Sequence, residues 1–172
     1  MRDTLVLTVI GVDRTGLVET LAKHIAAVGG NWEESRMARL AGQFAGILLV
    51  TVDTGRTDEL VRSMRGLEGT GLHVTVRPMT AAETPAAATR MRLELTGQDR
   101  PGIVRDVSRI LAERGVNVEE LESEVTSAPM SGEPMFTARV RLLAPGTMQV
   151  ADLRTQLESL ASALMVDLSP ES

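Results

Sequence analysis

The chain has 172 residues, no cysteine and a formal net charge of −5 at pH 7. Without cysteine it has no disulfide, no thiol nucleophile and no thiolate metal site. With one Trp, two Phe and no Tyr it has few rings to stack on bases, and polyanions repel it, so we expect no direct nucleic-acid binding. Its apolar stretches are only strand-length, and its first residues lead straight into a strand pattern. These features indicate neither a membrane span nor export, and we expect the cytoplasm.

The first half of the chain predicts six elements in the order βαββαβ. Alternating apolar residues indicate strands, and apolar residues at three- to four-residue spacing indicate helices. The tight turn Ala41-Gly42-Gln43 joins the two middle strands into a hairpin. The predicted elements are a strand at Thr4–Ile10, a helix at Thr15–Val28, strands at Asn31–Leu40 and Phe44–Val52, a helix at Thr57–Leu67 and a strand at Leu72–Arg77.

The second half repeats the first. Gly11-Val12-Asp13-Arg14-Thr15-Gly16 returns as Gly97-Gln98-Asp99-Arg100-Pro101-Gly102, and Asn31 returns as Asn117. We therefore predict two tandem ferredoxin-like α+β domains, 1–79 and 90–172, joined by an alanine-rich linker at 80–89, each an antiparallel sheet with helices on one face. The predicted elements of the second copy are Met91–Thr96, Pro101–Arg114, Val116–Val125, Met135–Leu143, Thr147–Ala161 and Leu164–Leu168.

The two copies differ on the sheet face that the helices do not need. In the second copy this face is polar and includes Glu94 and Arg139, so it should meet water. In the first copy the same face is apolar and is centred on Ile10, Ile47 and Leu49. A monomer seldom leaves such a patch exposed, so we expect an interface there, within a homodimer or against the second domain.

Each Asp-Arg-x-Gly turn has the chemistry to hold a zwitterion. The glycine lets backbone approach a ligand, and the free N–H groups that open the following helix favour a carboxylate. Asp13 or Asp99 would supply a counter-charge for an ammonium group. The alternative is that both aspartates cap their helices and the glycines only turn the chain. Recurrence of the turn together with an asparagine favours a binding site.

This pattern resembles the ACT domain, a small-molecule-sensing module of amino-acid metabolism, over nearly the whole chain. Two such domains with nothing else, together with the segment from Asn31 to Phe44, resemble the glycine cleavage system transcriptional repressor family. The resemblance implies a ligand site where the turn of one domain meets the second strand of another. The residues it nominates are Asp13, Arg14, Thr15, Gly16 and Asn31, with Asp99, Arg100, Pro101, Gly102 and Asn117.

Two residues depart from the family pattern. Thr15 stands where the family commonly has the proline kept at Pro101, so the two copies need not bind equally. Trp32 replaces a small aliphatic residue and is read either as a core filler, which we favour, or as an aromatic wall of the pocket. His24 is predicted to be packed or in an interface and His73 to face outward, and neither makes a metal site.

The residues and the resemblance together predict a non-enzymatic regulator that binds a small amino acid, needs no cofactor and forms a homodimer. The resemblance implies that the amino acid is glycine or a similar one and that the regulator acts through a protein partner. The resemblance implies that this partner is a transcription factor. A first alternative is a detached regulatory subunit of an amino-acid enzyme. A second is a small enzyme using Asp13 or Asp99 as general base, but no nucleophile or second acid accompanies either carboxylate.

Overall fold

The structure is a computed structural model that describes residues 1–80, 88–160 and 164–171. The chain divides into two compact units, domain 1 (Met1–Ala82) and domain 2 (Glu83–Ser172). Most of the predicted linker, residues 81–87, lies outside the described residues, so the linker stays a prediction.

Domain 1 has the predicted βαββαβ order. Its strands form one antiparallel sheet in the order β2-β3-β1-β4, so β2 and β4 are the edge strands. A short 3₁₀ turn precedes α2 and another precedes β4. The elements are β1 (Arg2–Val12), α1 (Leu17–Ala27), β2 (Asn31–Leu40), β3 (Gln43–Asp53), α2 (Thr57–Arg65) and β4 (Leu72–Pro78).

Domain 2 repeats this arrangement, with its strands in the order β6-β7-β5-β8 and β6 at one edge. The duplication predicted from the turns therefore extends to the whole topology. The elements are β5 (Ala88–Gln98), α3 (Ile103–Glu113), β6 (Asn117–Ser127), β7 (Pro134–Pro145), α4 (Val150–Ser159) and β8 (Leu164–Pro170).

Each domain has its own apolar core between the sheet and its helices. In domain 1, Leu7 and Leu48 on the sheet meet Leu21 on α1 and Leu60 on α2, and none of the four is more than 1% exposed. Leu93, Leu111 and Leu142 are buried in the same way in domain 2. Full burial of one such side chain stabilises a fold by about 1.5–3 kcal/mol, so these contacts dominate the packing energy.

The helices are shorter than predicted at the ends where glycine intervenes. α1 begins at Leu17 rather than Thr15, and α3 at Ile103 rather than Pro101. The residues before them, Gly16 and Gly102, have φ angles of 89° and 90°, which a right-handed helix does not accept. For this reason each helix starts one residue after its glycine.

Other boundaries also shift. α2 ends at Arg65 rather than Leu67, and α4 begins at Val150 rather than Thr147, while its predicted end at Ala161 lies outside the described residues. β5 begins at Ala88, earlier than the predicted Met91, because the antiparallel pairing with β7 extends to Pro145. The predicted hairpin in domain 1 is confirmed, and its turn residues Ala41 and Gly42 both have positive φ, as a two-residue hairpin turn requires.

Candidate functional site

The Asp-Arg-x-Gly turns lie at the same place in both domains, between the end of the first strand and the start of the first helix. Each is fixed to the neighbouring hairpin by one backbone hydrogen bond. The N–H of Asp13 donates to the carbonyl of Gly42 at 2.9 Å, and the N–H of Asp99 donates to that of Pro134 at 2.9 Å. The two turns thus have equivalent backbone positions, and they differ in their side-chain contacts.

The alternative role of the aspartates as helix caps is not what the structure shows. The N-cap positions of α1 and α3 are Gly16 and Gly102, and neither has a side-chain cap hydrogen bond. The amides of the first helical turn are therefore not occupied by a capping side chain. Free amides together with the positive end of the helix dipole make a favourable place for a carboxylate.

In domain 1 both charged side chains of the turn bond to other residues of the same domain. The Asp13 carboxylate pairs with the Nε of Arg39 at 2.5 Å, and its side chain is only 25% exposed. The guanidinium of Arg14 donates to the backbone carbonyl of Thr70 at 2.9 Å, which ties the turn to the loop before β4. Both charged groups of this turn thus already have partners in the chain.

In domain 2 the equivalent aspartate is left free. Asp99 is exposed, and its carboxylate has no hydrogen bond or ion pair among the described residues. Arg100 turns toward the helix, where its Nη1 lies 3.1 Å from a carboxylate oxygen of Asp106. Asp106 also pairs with Arg105 at 2.9 Å, and hydrogen bonds from Arg105 and Arg100 lower the pKa of its carboxyl group. Domain 2 therefore presents an unpaired carboxylate beside an uncapped helix.

The asparagines lie at the opposite end of each sheet from the turns. Asn31 pairs with Thr51, whereas Asp13 bonds to Gly42 in the hairpin turn that follows β2. The length of the edge strand separates the two, roughly 30 Å at about 3.3 Å per residue. Asn117 is placed in the same way at the start of β6. Within one domain the structure brings together the four turn residues but not the asparagine.

The asparagines also differ between the copies. The amide of Asn31 donates to a carboxylate oxygen of Glu33 at 2.8 Å, and the hydroxyl of Thr51 donates to the same oxygen at 2.7 Å. These two hydrogen bonds lower the pKa of Glu33. Asn117 has no side-chain partner among the described residues. Its neighbour Glu119 lies instead 3.4 Å from the Nε of Arg90.

A narrow apolar cleft of about 10 Å³ lies between α3 and β6, next to the turn of domain 2. Ile103 and Val104 from the start of α3, with Leu121 and Phe136, are among its lining residues. In domain 1, Trp32 and Met37 on the equivalent strand pack against the core. Trp32 thus packs against the core, as the favoured interpretation expects, and it is only partly buried.

The histidines have structural surroundings. Nδ1 of His24 is 2.9 Å from the hydroxyl of Ser63, which joins α1 to α2, and His73 is exposed on β4, as expected. Among residues 1–80, 88–160 and 164–171, no cluster of His, Asp and Glu is arranged to hold a metal ion. In the same ranges no helix is long and apolar enough to cross a bilayer.

Comparison with known proteins defines the class. Family models described as the ACT domain match residues 3–76 and residues 91–161. The chain therefore belongs to the ACT-domain family, as a tandem pair of these domains with the ferredoxin-like βαββαβ fold.

Relatives that match most of the chain give a more specific comparison than the family models. The chain is 24% identical over 162 residues to the glycine cleavage system transcriptional repressor of Escherichia coli, covering 93% of this chain and 85% of the relative. A crystal structure of an unknown protein from Galdieria sulphuraria is 28% identical over the whole of both chains, with a TM-score of 0.88. A crystal structure assigned to a glycine cleavage system transcriptional repressor has the same fold at 15% identity, a TM-score of 0.69 and 99% coverage of both chains.

Proposed function

We propose that this chain is a regulatory protein that binds a small free amino acid, chiefly at the turn of domain 2, and passes that signal to a protein partner. The observation that carries the proposal is the unpaired carboxylate of Asp99 beside the uncapped N-terminus of α3. A zwitterion matches both features, because it carries one anionic and one cationic group a few bonds apart. Membership of the ACT family and the similarity to a transcriptional repressor support the same conclusion.

The ligand would lie across the turn. Its carboxylate would accept hydrogen bonds from the first amides of α3, and its ammonium group would donate to Asp99. Hydrogen bonds that involve a charged group contribute about 1.5–3 kcal/mol each. Two or three of them supply about 3–9 kcal/mol, and immobilising a small molecule costs at least about 4 kcal/mol, so a dissociation constant from a few tenths of a millimolar into the millimolar range is expected. This range suits a sensor of metabolite concentrations.

The cleft beside the turn favours a ligand with a very small side chain. A volume of about 10 Å³ is at the lower limit for holding one water molecule. Glycine, which has no side chain, or alanine, which has one methyl group, would bind without displacing Val104 or Leu121. Larger amino acids would have to open the cleft, and part of their binding energy would be lost.

The turn of domain 1 would bind more weakly. A ligand there must first displace Arg39 from Asp13, because the carboxylate is already paired. The asparagines would contribute only through another domain, since each lies at the far end of its own edge strand. The proposed primary contacts are therefore those of the turn Asp99, Arg100, Pro101 and Gly102.

Regulation would run through a protein rather than through DNA. The net charge of −5 opposes direct binding to a polyanion. The similarity to a transcriptional repressor favours a transcription factor over a metabolic enzyme as the partner. We place this regulator in the cytoplasm, where free amino acids accumulate, as a non-enzymatic homodimer.

Calorimetric titration of the full chain against the twenty amino acids tests the ligand. Binding of glycine or alanine with a dissociation constant from a few tenths of a millimolar into the millimolar range is the expected result. Absence of binding by every amino acid below about 10 mM would contradict the proposed sensing function.

Affinity capture with the tagged chain, with and without the amino acid found by titration, tests the partner. A transcription factor whose recovery changes with the amino acid is expected. Recovery of a metabolic enzyme instead would support the detached regulatory subunit. Sequence-specific DNA binding by the purified chain at sub-micromolar concentration in a gel shift would contradict the indirect mechanism.

A further inference from the structure

The outer face of the domain 1 sheet, on the side away from the helices, carries an apolar patch on β1, β3 and the hairpin end of β2. Antiparallel register places its residues in cross-strand rows, and its two isoleucines, Ile10 and Ile47, are 51% and 56% exposed. Folded chains rarely leave a contiguous apolar surface of this kind to water. The apolar residues of this face, here called the apolar sheet face, are Val6, Ile10, Val12, Ala38, Leu40, Ala45, Ile47 and Leu49. The outward residues of β4 are polar.

The fold does not require this face to be apolar. Domain 2 has the same topology, yet the positions equivalent to Val6, Ile47 and Leu49 hold arginines. The register in domain 2 pairs Arg92 with Arg141 and Glu94 with Arg139 on the outer face. Domain 1 thus has an apolar outer surface that the fold does not require. This indicates that the surface forms an interface.

The edges of the apolar sheet face carry opposite charges. One cross-strand row runs from Glu34 on β2 through Leu49 and Val6 to Arg77 on β4. Arg77 has no ion pair or hydrogen bond among the described residues. Glu34 has an exposed pair with Arg36 at 3.7 Å, which is weak. The row therefore ends in a negative charge on one side and an unpaired positive charge on the other.

We propose that the apolar sheet face binds the same face of a second copy of this chain, around a twofold axis that runs along the strands. Such an axis places β2 of one copy over β4 of the other. Each cross-strand row of one copy then lies opposite the same row of the second copy, with the strand order reversed. Each Glu34 then lies opposite the partner's Arg77, and this pair occurs twice by symmetry. The apolar side chains pack between the two rims as in a β-sandwich.

The size of the face is sufficient for a stable dimer. The four strands, of 11, 10, 11 and 7 residues, at about 4.8 Å spacing and about 3.3 Å per residue give roughly 620 Å² per copy. The total of roughly 1,200 Å² lies at the lower end of the range of specific protein interfaces. This inference is independent of the ligand, so it stands or fails separately from the proposed amino-acid sensing.

Sedimentation equilibrium of the full chain, with Ile47→Glu as the variant, tests the apolar contact. A dimer is expected for the parent, and Ile47→Glu should weaken it at least tenfold because it places two carboxylates in the centre of the interface. The matched control is Met165→Glu, at a 74% exposed methionine on the outer face of domain 2, which should leave the dimer unchanged. A monomeric parent, or a dimer that survives Ile47→Glu, would overturn the proposal.

Charge reversal tests the orientation of the two copies. Glu34→Arg and Arg77→Glu should each weaken the dimer several-fold, because each juxtaposes like charges. The double variant restores the opposite-charge pairs and should recover the affinity of the parent. Both sites are exposed, so each variant should fold normally, and circular dichroism checks this. Failure of the double variant to recover the dimer would overturn the proposed axis.

Discussion

The two turns of this protein share a sequence pattern and a backbone conformation, yet they differ in whether the aspartate has an ion-pair partner. Asp13 is paired with Arg39, whereas Asp99 has no partner among the described residues. The cause lies on the edge strand: the residue paired with Phe44 is Arg39, and the residue paired with Phe136 is Val125. A single difference on the neighbouring strand, Arg39 against Val125, therefore decides whether the aspartate of the turn is paired. The Asp-Arg-x-Gly motif is the same in both domains.

The largest expected effect comes from the glycine that precedes α3. Gly102→Val should abolish amino-acid binding, because a branched side chain at a φ of 90° displaces the backbone that meets the ligand. The matched control is Gly16→Val, which suffers the same strain at a φ of 89° in domain 1. Both variants should lose about 1–3 kcal/mol of unfolding free energy. Calorimetry should show lost binding only for Gly102→Val, and equal binding by both variants would contradict the assignment to domain 2.

The aspartates should give the next largest difference. Asp99→Ala removes one charge-assisted contact of about 1.5–3 kcal/mol, which corresponds to a roughly 10- to 150-fold loss of affinity. Asp13→Ala should leave the affinity unchanged and cost about 0–1 kcal/mol of stability, as expected for a partly exposed ion pair. Titration of both variants beside thermal unfolding checks this. Two variants that differ from the parent only in melting temperature would show that the turns are structural.

A substitution on the edge strand of domain 2 should give its turn the ion pair that the turn of domain 1 has. Val125→Arg places an arginine where domain 1 has Arg39, and it should pair with Asp99 and lower amino-acid affinity by roughly tenfold. Val125→Met serves as the control, because it changes the size of the side chain without adding charge. If both variants bind the amino acid as tightly as the parent does, Arg39 does not explain the difference between the copies.

The smallest effect concerns the asparagine of domain 1. Asn31→Ala removes one of the hydrogen bonds that lower the pKa of Glu33, so that pKa should rise toward its ordinary value. NMR titration of the Glu33 carboxyl carbon measures the change, and Asn117→Ala should leave the same pKa unaltered. Because the folded-state pKa of Glu33 is lowered, its stabilising contribution is present above the unfolded pKa and is lost as the pH falls through the folded value.

The sequence was sufficient for the topology and the duplication, because alternation and helical spacing report which residues are buried. The bounds of β2 were predicted to the residue, because the strand ends at the tight turn Ala41-Gly42, whose residues both have positive φ. The same order of elements also implies that Asn31 begins an edge strand at the end of the sheet opposite the turn. This separation follows from the topology, and it is why the resemblance implies a site shared between the turn of one domain and the second strand of another.

The partners of the site residues could not be predicted. The pairing of Asp13 with Arg39 depends on which side chain lies opposite Phe44, in a register set by the Ala41-Gly42 turn. The β-bulge between Trp32 and Glu34 shifts the register only at the far end of β2. The bulge recurs between Val118 and Glu120 in domain 2, where no comparable pair forms. Motif reasoning identifies which groups are present, but register decides which of them are already occupied.

Gly11, the first residue of the repeated motif, has a role distinct from that of Gly16. It is buried on β1, and a Cβ there would lie 2.5 Å from the carbonyl oxygen of Gly71, at the entry to β4. Any larger residue would therefore push two backbones apart. In a saturation mutagenesis screen both glycines would be intolerant, but for different reasons. Loss of fitness at Gly11 would result from a change in the spacing of two strands. Loss of fitness at Gly16 would result from a change in the geometry of the turn.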